Sequence, residues 1–263
     1  PAEKPIGTET ITEEEGITTL VLKVDPQAVE EQMKEALKDD TKTQKKTIDF
    51  AVSDTKADHS AVSLTGELIR KLAENDFELS VRRNNVTYTI SASDFDIAGV
   101  AENLGQKDLK AVEVEVRINE VSEEVKAKYE EVVKNNRHEL VFPPVEFEVV
   151  AKTQNADGTV KHVHVDRFSN YVTRTVEIPE GVDPISVTTG IVFNADGTYE
   201  HVPTVVFEQN GKWYARLSSL TNSTYSVLSN AVRVASVENH WSKEAVNDLA
   251  SRLVILNPKS FEP

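Results

Sequence analysis

Apolar positions in the first 142 residues switch between the two-residue period of strands and the 3.6-residue period of helices. The β-branched segments Thr18–Val24 and Thr47–Val52 predict two strands. Asp25 and Pro26 between them predict a helix start, because a carboxylate caps free backbone N–H groups and proline suits the first turn. The buried stripe of this helix is predicted at four positions: Val29, Met33, Ala36 and Leu37.

Later elements of this half follow the same logic. Thr65 and Ser93 are each predicted to cap a further helix. Alternation of valine with charged residues over Ala111–Ile118 predicts a strand with one buried and one solvent-facing side. The polar segment Pro1–Gly16 is predicted to be frayed. Three further elements are predicted: strands at Phe77–Arg82 and Val86–Ser91, joined by a turn at Asn84 and Asn85, and a helix around Val125–Val133.

From Val145 onward the pattern is that of strands. Seven segments carry it: Val145–Ala151, Val160–Val165, Tyr171–Ile178, Ser186–Phe193, Thr198–Phe207, Lys212–Leu217 and Thr224–Ser229. The predicted fold class is therefore α+β, with a mixed first half, an antiparallel β-sandwich-like second half and a C-terminal helix. Pro143 and Pro144 mark the change, which predicts an α+β module over 1–142 and an all-β module over 143–233. The pattern leaves open whether these two share one core.

The segment from Val234 to Pro263 carries a pattern of its own. Val237 is followed by His240-Trp241, then by Ala245, Val246 and Leu249, and finally by Phe261 and Pro263. This order resembles the start of an S-layer homology (SLH) domain, with Val234 and Ser236 standing where the family has Phe and Asp. Residues 234–263 are therefore interpreted as a truncated SLH start, since the segment that completes the domain does not follow. A helix with a buried row at Ala245, Leu249 and Val254 is predicted.

The resemblance extends upstream and implies a function. Phe193–Thr204 and Leu220–Val227 are similar to the region that precedes SLH repeats in large secreted proteins and glycoside hydrolases of Gram-positive bacteria. That region implies a non-catalytic, secreted, cell-surface module that positions a partner domain, for example a polysaccharide-degrading one, next to an SLH anchor. Complete SLH regions bind secondary cell-wall polymer, which is the partner implied for a longer parent protein. Carried over, Trp241 with His240 belongs to the family's Trp-bearing helix. Because the segment is truncated, we expect it to pack on the preceding strands and not to bind polymer alone.

Composition narrows the classes of partner. The chain carries 44 acidic and 29 basic residues, a formal net charge of −15, which disfavours nucleic acid. Its lack of cysteine excludes thiol chemistry and disulfides. No apolar run is long enough for a transmembrane helix, so no membrane insertion is expected. The absence of an initiator methionine and a signal peptide suggests an internal piece of a longer precursor.

Candidate chemistry is sparse. No nucleophile elbow, zinc-protease motif or dinucleotide fingerprint is present, so we expect no enzyme activity and no cofactor. The carboxylate pair Asp94 and Asp96 suits helix capping better than catalysis. His162, His164 and Asp166 share one strand face at i, i+2 and i+4, a spacing that could hold a divalent metal, with His201 from another strand as a further ligand. A polar sheet face is the favoured interpretation, and no metal is predicted.

Two further features concern turns and aromatic residues. The sequence Asn-Ala-Asp-Gly-Thr occurs at 155–159 and again at 194–198, and we interpret both as tight turns and not as calcium loops. Trp213 and Tyr199 lie in neighbouring predicted strands, where an exposed aromatic face could stack on sugar rings. The alternative function is therefore a carbohydrate-binding module, with Trp213, Tyr199 and Trp241 as its candidate residues.

Overall fold

The computed structural model describes residues 6–38, 45–53 and 56–263. Pro1–Pro5, at the start of the segment predicted to be frayed, lie outside the described residues. Within the described ranges the fold is mixed and strand-rich, with two sheets and five α-helices, so the α+β class is confirmed. None of these helices has the length and apolar character needed to cross a membrane.

The strands and helices have the following bounds. The strands are β1 Gly7–Glu14, β2 Ile17–Val24, β3 Lys46–Ala51, β4 His59–Thr65, β5 Phe77–Arg83, β6 Val86–Ser91, β7 Glu113–Glu120, β8 Glu139–Gln154, β9 Val160–His164, β10 Arg167–Glu177, β11 Thr189–Phe193, β12 Tyr199–Val202, β13 Thr204–Gln209, β14 Lys212–Thr221 and β15 Thr224–Ser229. The helices are α1 Pro26–Lys38, α2 Gly66–Glu74, α3 Ile97–Leu104, α4 Glu123–Asn135 and α5 Lys243–Ser251.

The chain divides into two compact units that are each built from separate stretches of sequence. Unit one comprises Pro1–Glu120, Glu146–Arg174 and Leu220–Asn222. Unit two comprises Val121–Val145, Thr175–Ser219 and Ser223–Pro263. Pro143 and Pro144 lie inside β8, and the division of the chain at residues 142 and 233 stays a prediction.

Unit one contains two groups of strands. In the first, β1, β2, β4, β7 and β8 are neighbours in that order, and β9 pairs with β8. In the second, the order is β10, β6, β5 and β3. The pairs β2–β4 and β3–β5 are parallel, whereas β1–β2, β4–β7, β5–β6 and β8–β9 are antiparallel. Mixed pairing of this kind fits strands that alternate with helices along the chain.

The core of unit one contains a fully buried arginine. The guanidinium of Arg174 lies 4.9 Å from the ring centre of Tyr88 and 5.2 Å from that of Phe147. It also donates to the backbone oxygen of Thr221 and, at 3.3 Å, to Oδ1 of Asn222. These ring and carbonyl contacts replace part of the hydration that a buried cation loses.

Unit two contains a second set of strands. The first half of β8, then β15, β11 and β12, follow one another in hydrogen-bonded order, while β13 and β14 form a hairpin. Helix α4 contributes Val133 to a core cluster with Ile191, Phe193 and Leu228. The ring of Tyr129 stacks on Phe193 with centroids 3.9 Å apart, which anchors the helix on this cluster.

Local capping signals were predicted correctly in two places and wrongly in one. The side chains of Asp25 and Thr65 accept hydrogen bonds from Gln27 N (2.9 Å) and Leu68 N (3.2 Å) at the starts of α1 and α2. Ser93 does not cap α3. Asp96 does so instead, with a left-handed backbone (φ 44°) and its carboxylate 3.4 Å from Gly99 N. The cap lies three residues later because a short 3-10 turn, Ala92–Phe95, precedes the helix.

Three predictions about strand formation and burial require correction. Gly7–Glu14, predicted to be frayed, forms β1, because its backbone pairs along its whole length with β2. The stripe of α1 is only partly right: Val29 and Met33 are buried, but Leu37 is exposed. The charged side of β7 is not fully solvent-facing either, since Glu115 and Asn119 are buried among charged partners.

Candidate functional site

A groove in unit two is formed where the chain leaves β10 and passes the β13–β14 hairpin. Ile178 N donates to the backbone oxygen of Trp213 at 2.8 Å, which ties the segment after β10 to the start of β14. This segment then turns at Gly181 (φ 87°), with Val182 N bonded to Pro179 O at 3.2 Å. Between the segment and the hairpin lies a groove of about 470 Å³.

Trp213 belongs to the inward row of β14 but lies beyond the end of the core. The next two residues in this row, Ala215 and Leu217, are buried, whereas Trp213 is 42% exposed. Tyr214 points to the opposite side of the strand and stacks on Phe207 with centroids 5.6 Å apart. Trp213 is one of the residues that line the groove, together with Pro179 and Pro184.

The polar side chains of the groove are predominantly acidic. Glu177, Glu180 and Lys212 all line it, so two carboxylates face one ammonium group. Lys212 Nζ lies 2.8 Å from Glu177 Oε1, and this hydrogen bond, together with the charge of Glu177, raises the pKa of Lys212. Glu180 forms no such ion pair among the described residues. Sequence reasoning missed these residues, although the Pro179-Glu180-Gly181 and Asn210-Gly211 turn signals on either side of them were visible.

Tyr199 and Trp213 do not lie in the same sheet. Tyr199 is in β12, where its ring packs edge-on against Phe193 at 5.8 Å and its hydroxyl lies 2.7 Å from His138 Nδ1. Partial burial raises the pKa of Tyr199 and lowers that of His138. These contacts give Tyr199 a packing role, and Trp213 alone of this pair lines the groove.

The C-terminal segment is a second notable part of unit two. Val234, Val237, Val246 and Ala250 form a small buried cluster, against which Val232, Ile255 and Phe261 pack. Four hydrogen bonds join α5 and the residue after it to preceding backbone or side-chain groups. They are Asn230 Nδ2 to Ser251 O (2.9 Å), Val232 N to Ser251 Oγ (2.9 Å), Val234 N to Asn247 Oδ1 (2.8 Å) and Arg252 Nη1 to Thr204 O (3.3 Å).

The predicted face of α5 is wrong. Ala245, Leu249 and Val254 are exposed, and the buried row is Val246 and Ala250. The side chains of Asn247 and Ser251 accept hydrogen bonds from the backbone of Val234 and Val232. These contacts orient α5 so that the row one residue after the predicted one, Val246 and Ala250, faces the cluster.

Trp241 lies in the turn before α5 and not in the helix. Its side chain is 90% exposed, whereas the segment around it contacts β13 through Arg252, whose Nη1 lies 3.3 Å from Thr204 O.

No family model, curated protein or solved structure matches this chain. The chemistry of the two regions therefore has to follow from their own residues. The groove combines one aromatic face with hydrogen-bond acceptors, which suits a small polar ligand. The C-terminal segment offers a buried cluster and several hydrogen bonds, which suit a fixed structural connection.

The histidines proposed as metal ligands do not converge. His162 and His164 lie on β9 with ring centroids 5.8 Å apart, and Asp166 follows the end of that strand. His201 is in unit two, with Nδ1 2.7 Å from Thr189 Oγ1. Within the described ranges, no three His, Cys, Asp or Glu side chains group as a metal site.

The two Asn-Ala-Asp-Gly-Thr turns have the same hydrogen bonds. Asp157 Oδ1 accepts from Thr159 N at 2.9 Å and from Thr159 Oγ1 at 2.6 Å, and Asp196 repeats both distances with Thr198. These bonds from the threonine lower the pKa of each aspartate. Because each carboxylate is used inside its own turn, the interpretation as turns is supported.

Proposed function

We propose that this chain is a non-catalytic, extracellular module that connects a partner domain to an SLH anchor at a bacterial cell surface and fixes its position. The resemblance of Val234–Pro263 to an SLH start supports the location. Through a complete SLH region in a longer parent, the bound partner would be secondary cell-wall polymer. The partner domain would be one that benefits from a fixed place at the wall, such as a polysaccharide-degrading enzyme.

The observation that carries the proposal is the attachment of the C-terminal segment to unit two. Three of the hydrogen bonds described above join it to preceding residues: Arg252 to Thr204 O at the start of β13, and Ser251 to the Asn230 side chain and the Val232 backbone after β15. The fourth, from Val234 N to Asn247 Oδ1, lies inside the segment. The apolar cluster around Val237 adds burial to these bonds. A connecting module can fix a direction only if its junction is folded, and this junction has both a core and directional hydrogen bonds.

The proposal includes a β-sandwich-like second half ending in a C-terminal helix. Alternating burial along β14, with Ala215 and Leu217 inward and Arg216 outward, supports a strand that covers a core with one side. Such an arrangement is stiff, because its strands are held laterally by hydrogen bonds. Stiffness is what a spacer requires.

A spin-label distance measurement tests this proposal. The chain has no cysteine, so Gln209→Cys with Glu244→Cys labels one exposed site on β13 and one on α5 without background. We expect a distance distribution as narrow as that of the control pair Gln209→Cys with Glu200→Cys, which joins two strand positions. A distribution several times broader than the control would show a loose tether and contradict the connecting role.

A second candidate function is carbohydrate binding through the groove. The observation that favours it is the exposed indole of Trp213 beside two carboxylates. This function is compatible with the first, because a connecting module can also bind a glycan.

A further inference from the structure

We infer that the Trp213 groove binds a neutral saccharide and discriminates against acidic glycans. This inference rests on the second candidate function and specifies its site and ligand class. The groove lies at the start of β14. There Trp213 is in the same inward-facing row as the buried residues Ala215 and Leu217, but 42% of its surface is exposed to solvent. A large apolar ring left exposed in a concave site is a suitable surface for stacking.

The size and rigidity of the groove suit a small ligand. Its volume of about 470 Å³ falls within the range of about 300–1,000 Å³ that is typical of small-molecule sites. Both of its sides are fixed by hydrogen bonds: Ile178 N donates to Trp213 O at 2.8 Å on one side, and Gly211 N donates to the side-chain Oε1 of Glu208 at 2.8 Å in the hairpin. A preformed groove loses little conformational entropy when a ligand binds.

Hydrogen-bonding chemistry selects the ligand class. The carboxylates of Glu177 and Glu180 only accept hydrogen bonds when ionised, and Lys212 is the one side-chain donor among the three charged lining residues. Sugar hydroxyl groups donate, so they match these acceptors. A proline-rich peptide presents mainly carbonyl acceptors, for which this groove offers few partners.

The negative charge of the groove excludes acidic glycans. Lys212 is already paired with Glu177 at 2.8 Å, so its charge is compensated before a ligand arrives. Glu180 adds a further negative charge to the groove of a chain whose formal net charge is −15. Uronic acids, phosphorylated polymers and pyruvylated polymers would therefore be repelled.

Fluorescence of a single-tryptophan protein tests the inference directly. The chain has two tryptophans, so Trp241→Phe leaves Trp213 as the only indole reporter. The probes are cellohexaose, xylohexaose and mannohexaose as neutral ligands, with an oligogalacturonate and a proline-rich decapeptide for comparison. We expect at least one neutral oligosaccharide to shift Trp213 emission to shorter wavelength and to protect it from acrylamide quenching, with saturation. No change with any neutral probe, or a change only with the acidic probe or the peptide, would overturn the inference.

Two groove variants and one matched control locate the binding. By calorimetric titration, Trp213→Ala should bind the responsive saccharide about tenfold more weakly or worse. Trp241→Ala, which removes the other exposed indole, should bind like the unmodified chain. Because Trp213→Ala could disturb the groove, Glu180→Gln provides a milder change on an exposed side chain, with binding about two- to tenfold weaker from the loss of one charged acceptor. Circular dichroism and thermal melting confirm that each variant is folded.

The possible outcomes distinguish failure of the groove as a binding site from failure of carbohydrate binding and from failure of the connecting role. Saccharide binding that Trp213→Ala and Glu180→Gln leave unchanged would retain carbohydrate binding but refute the groove as its site. Absence of binding to every saccharide would refute both the groove and the second candidate function. The connecting role is measured separately by the spin-label distances.

Discussion

Charged side chains pair with one another along β7 of unit one, whereas unit two leaves both tryptophans of the chain in contact with solvent. In unit one, Glu115 binds Arg117 and Lys152, and Asn119 donates to Glu148 at 2.9 Å. In unit two, Trp213 lies in a groove and Trp241 lies on an exposed turn. The difference indicates that the polar groups of β7 are committed to folding, while unit two holds surfaces that remain available to ligands or neighbouring domains.

The largest expected effect is at the C-terminal cluster of unit two. Val237→Asp would place an unpaired carboxylate at a fully buried position, which should destabilise the segment by about 3 kcal/mol or more. Limited proteolysis should then cut within residues 232–261, while unit one stays intact. The matched control Val254→Asp alters a position that is 48% exposed and should change stability by less than about 0.5 kcal/mol. Equal resistance of Val237→Asp and the control would refute the presence of a packed cluster.

An intermediate effect is expected at Glu115 in unit one. Glu115→Ala leaves Arg117 and Lys152 without their shared carboxylate, but both cations are partly exposed, so the expected loss is about 1–3 kcal/mol. Urea denaturation at pH 7 measures it. Arg70→Ala, which breaks a partly exposed ion pair with Glu67 and an exposed one with Glu74 on α2, is the control and should cost less than about 1 kcal/mol. A smaller loss for Glu115→Ala than for Arg70→Ala would contradict a structural role for the β7 charges.

The same carboxylate predicts a pH dependence. Burial alone would raise the pKa of Glu115, but hydrogen bonds from Lys152 and Arg117 and the charges of both outweigh burial and hold the pKa below its ordinary value of 4.5. Its stabilisation is therefore fully present above pH 4.5 and is lost as the pH falls through the lower folded-state pKa. The stability difference between the unmodified chain and Glu115→Gln should shrink between pH 7 and pH 3. A constant difference would rule out this linkage.

The smallest expected effect is at the two Asn-Ala-Asp-Gly-Thr turns, one in each unit. Gly158 and Gly197 have φ of 86° and 89°, so alanine at either position should cost about 1 kcal/mol. A Cβ at Gly158 would meet open space, and one at Gly197 would lie 3.3 Å from the flexible end of Lys128. Thermal unfolding should therefore give two similar losses. A much larger loss for Gly197→Ala would show that the Lys128 contact is rigid.

Features that depend on neighbouring residues in the sequence could be predicted. The Thr65 cap, the hairpin at Asn84 and the two Asn-Ala-Asp-Gly-Thr turns are set by hydrogen bonds or backbone angles within a few residues. Most strands of the second half could also be predicted, because their apolar and β-branched content is high. The single strand predicted at Thr198–Phe207 is wrong, since Pro203 separates β12 from β13 and these two strands belong to different sheets. Local chemistry was therefore a reliable guide to the elements.

Features that depend on distant contacts could not be predicted. Glu115 looks solvent-facing in an alternating strand, and its burial depends on Lys152, 37 residues away. The face of α5 was misassigned because two adjacent rows both contain apolar residues, and the contacts of Asn247 and Ser251 select one of them. The groove residues Glu177 and Lys212 come together only when β10 and the hairpin fold side by side.

Hydrogen exchange at Val232 and Val234 tests the central claim most directly. The Val232 N–H donates to Ser251 Oγ at 2.9 Å, which joins α5 to a residue before the C-terminal segment, and the Val234 N–H donates to Asn247 Oδ1 at 2.8 Å, which fixes α5 inside the segment. If this segment is a folded junction, both amides should exchange slowly, with protection approaching that of the β15 amides in the same unit. Exchange at the rate of an unstructured peptide would show that the segment is a loose tail and would contradict the connecting function.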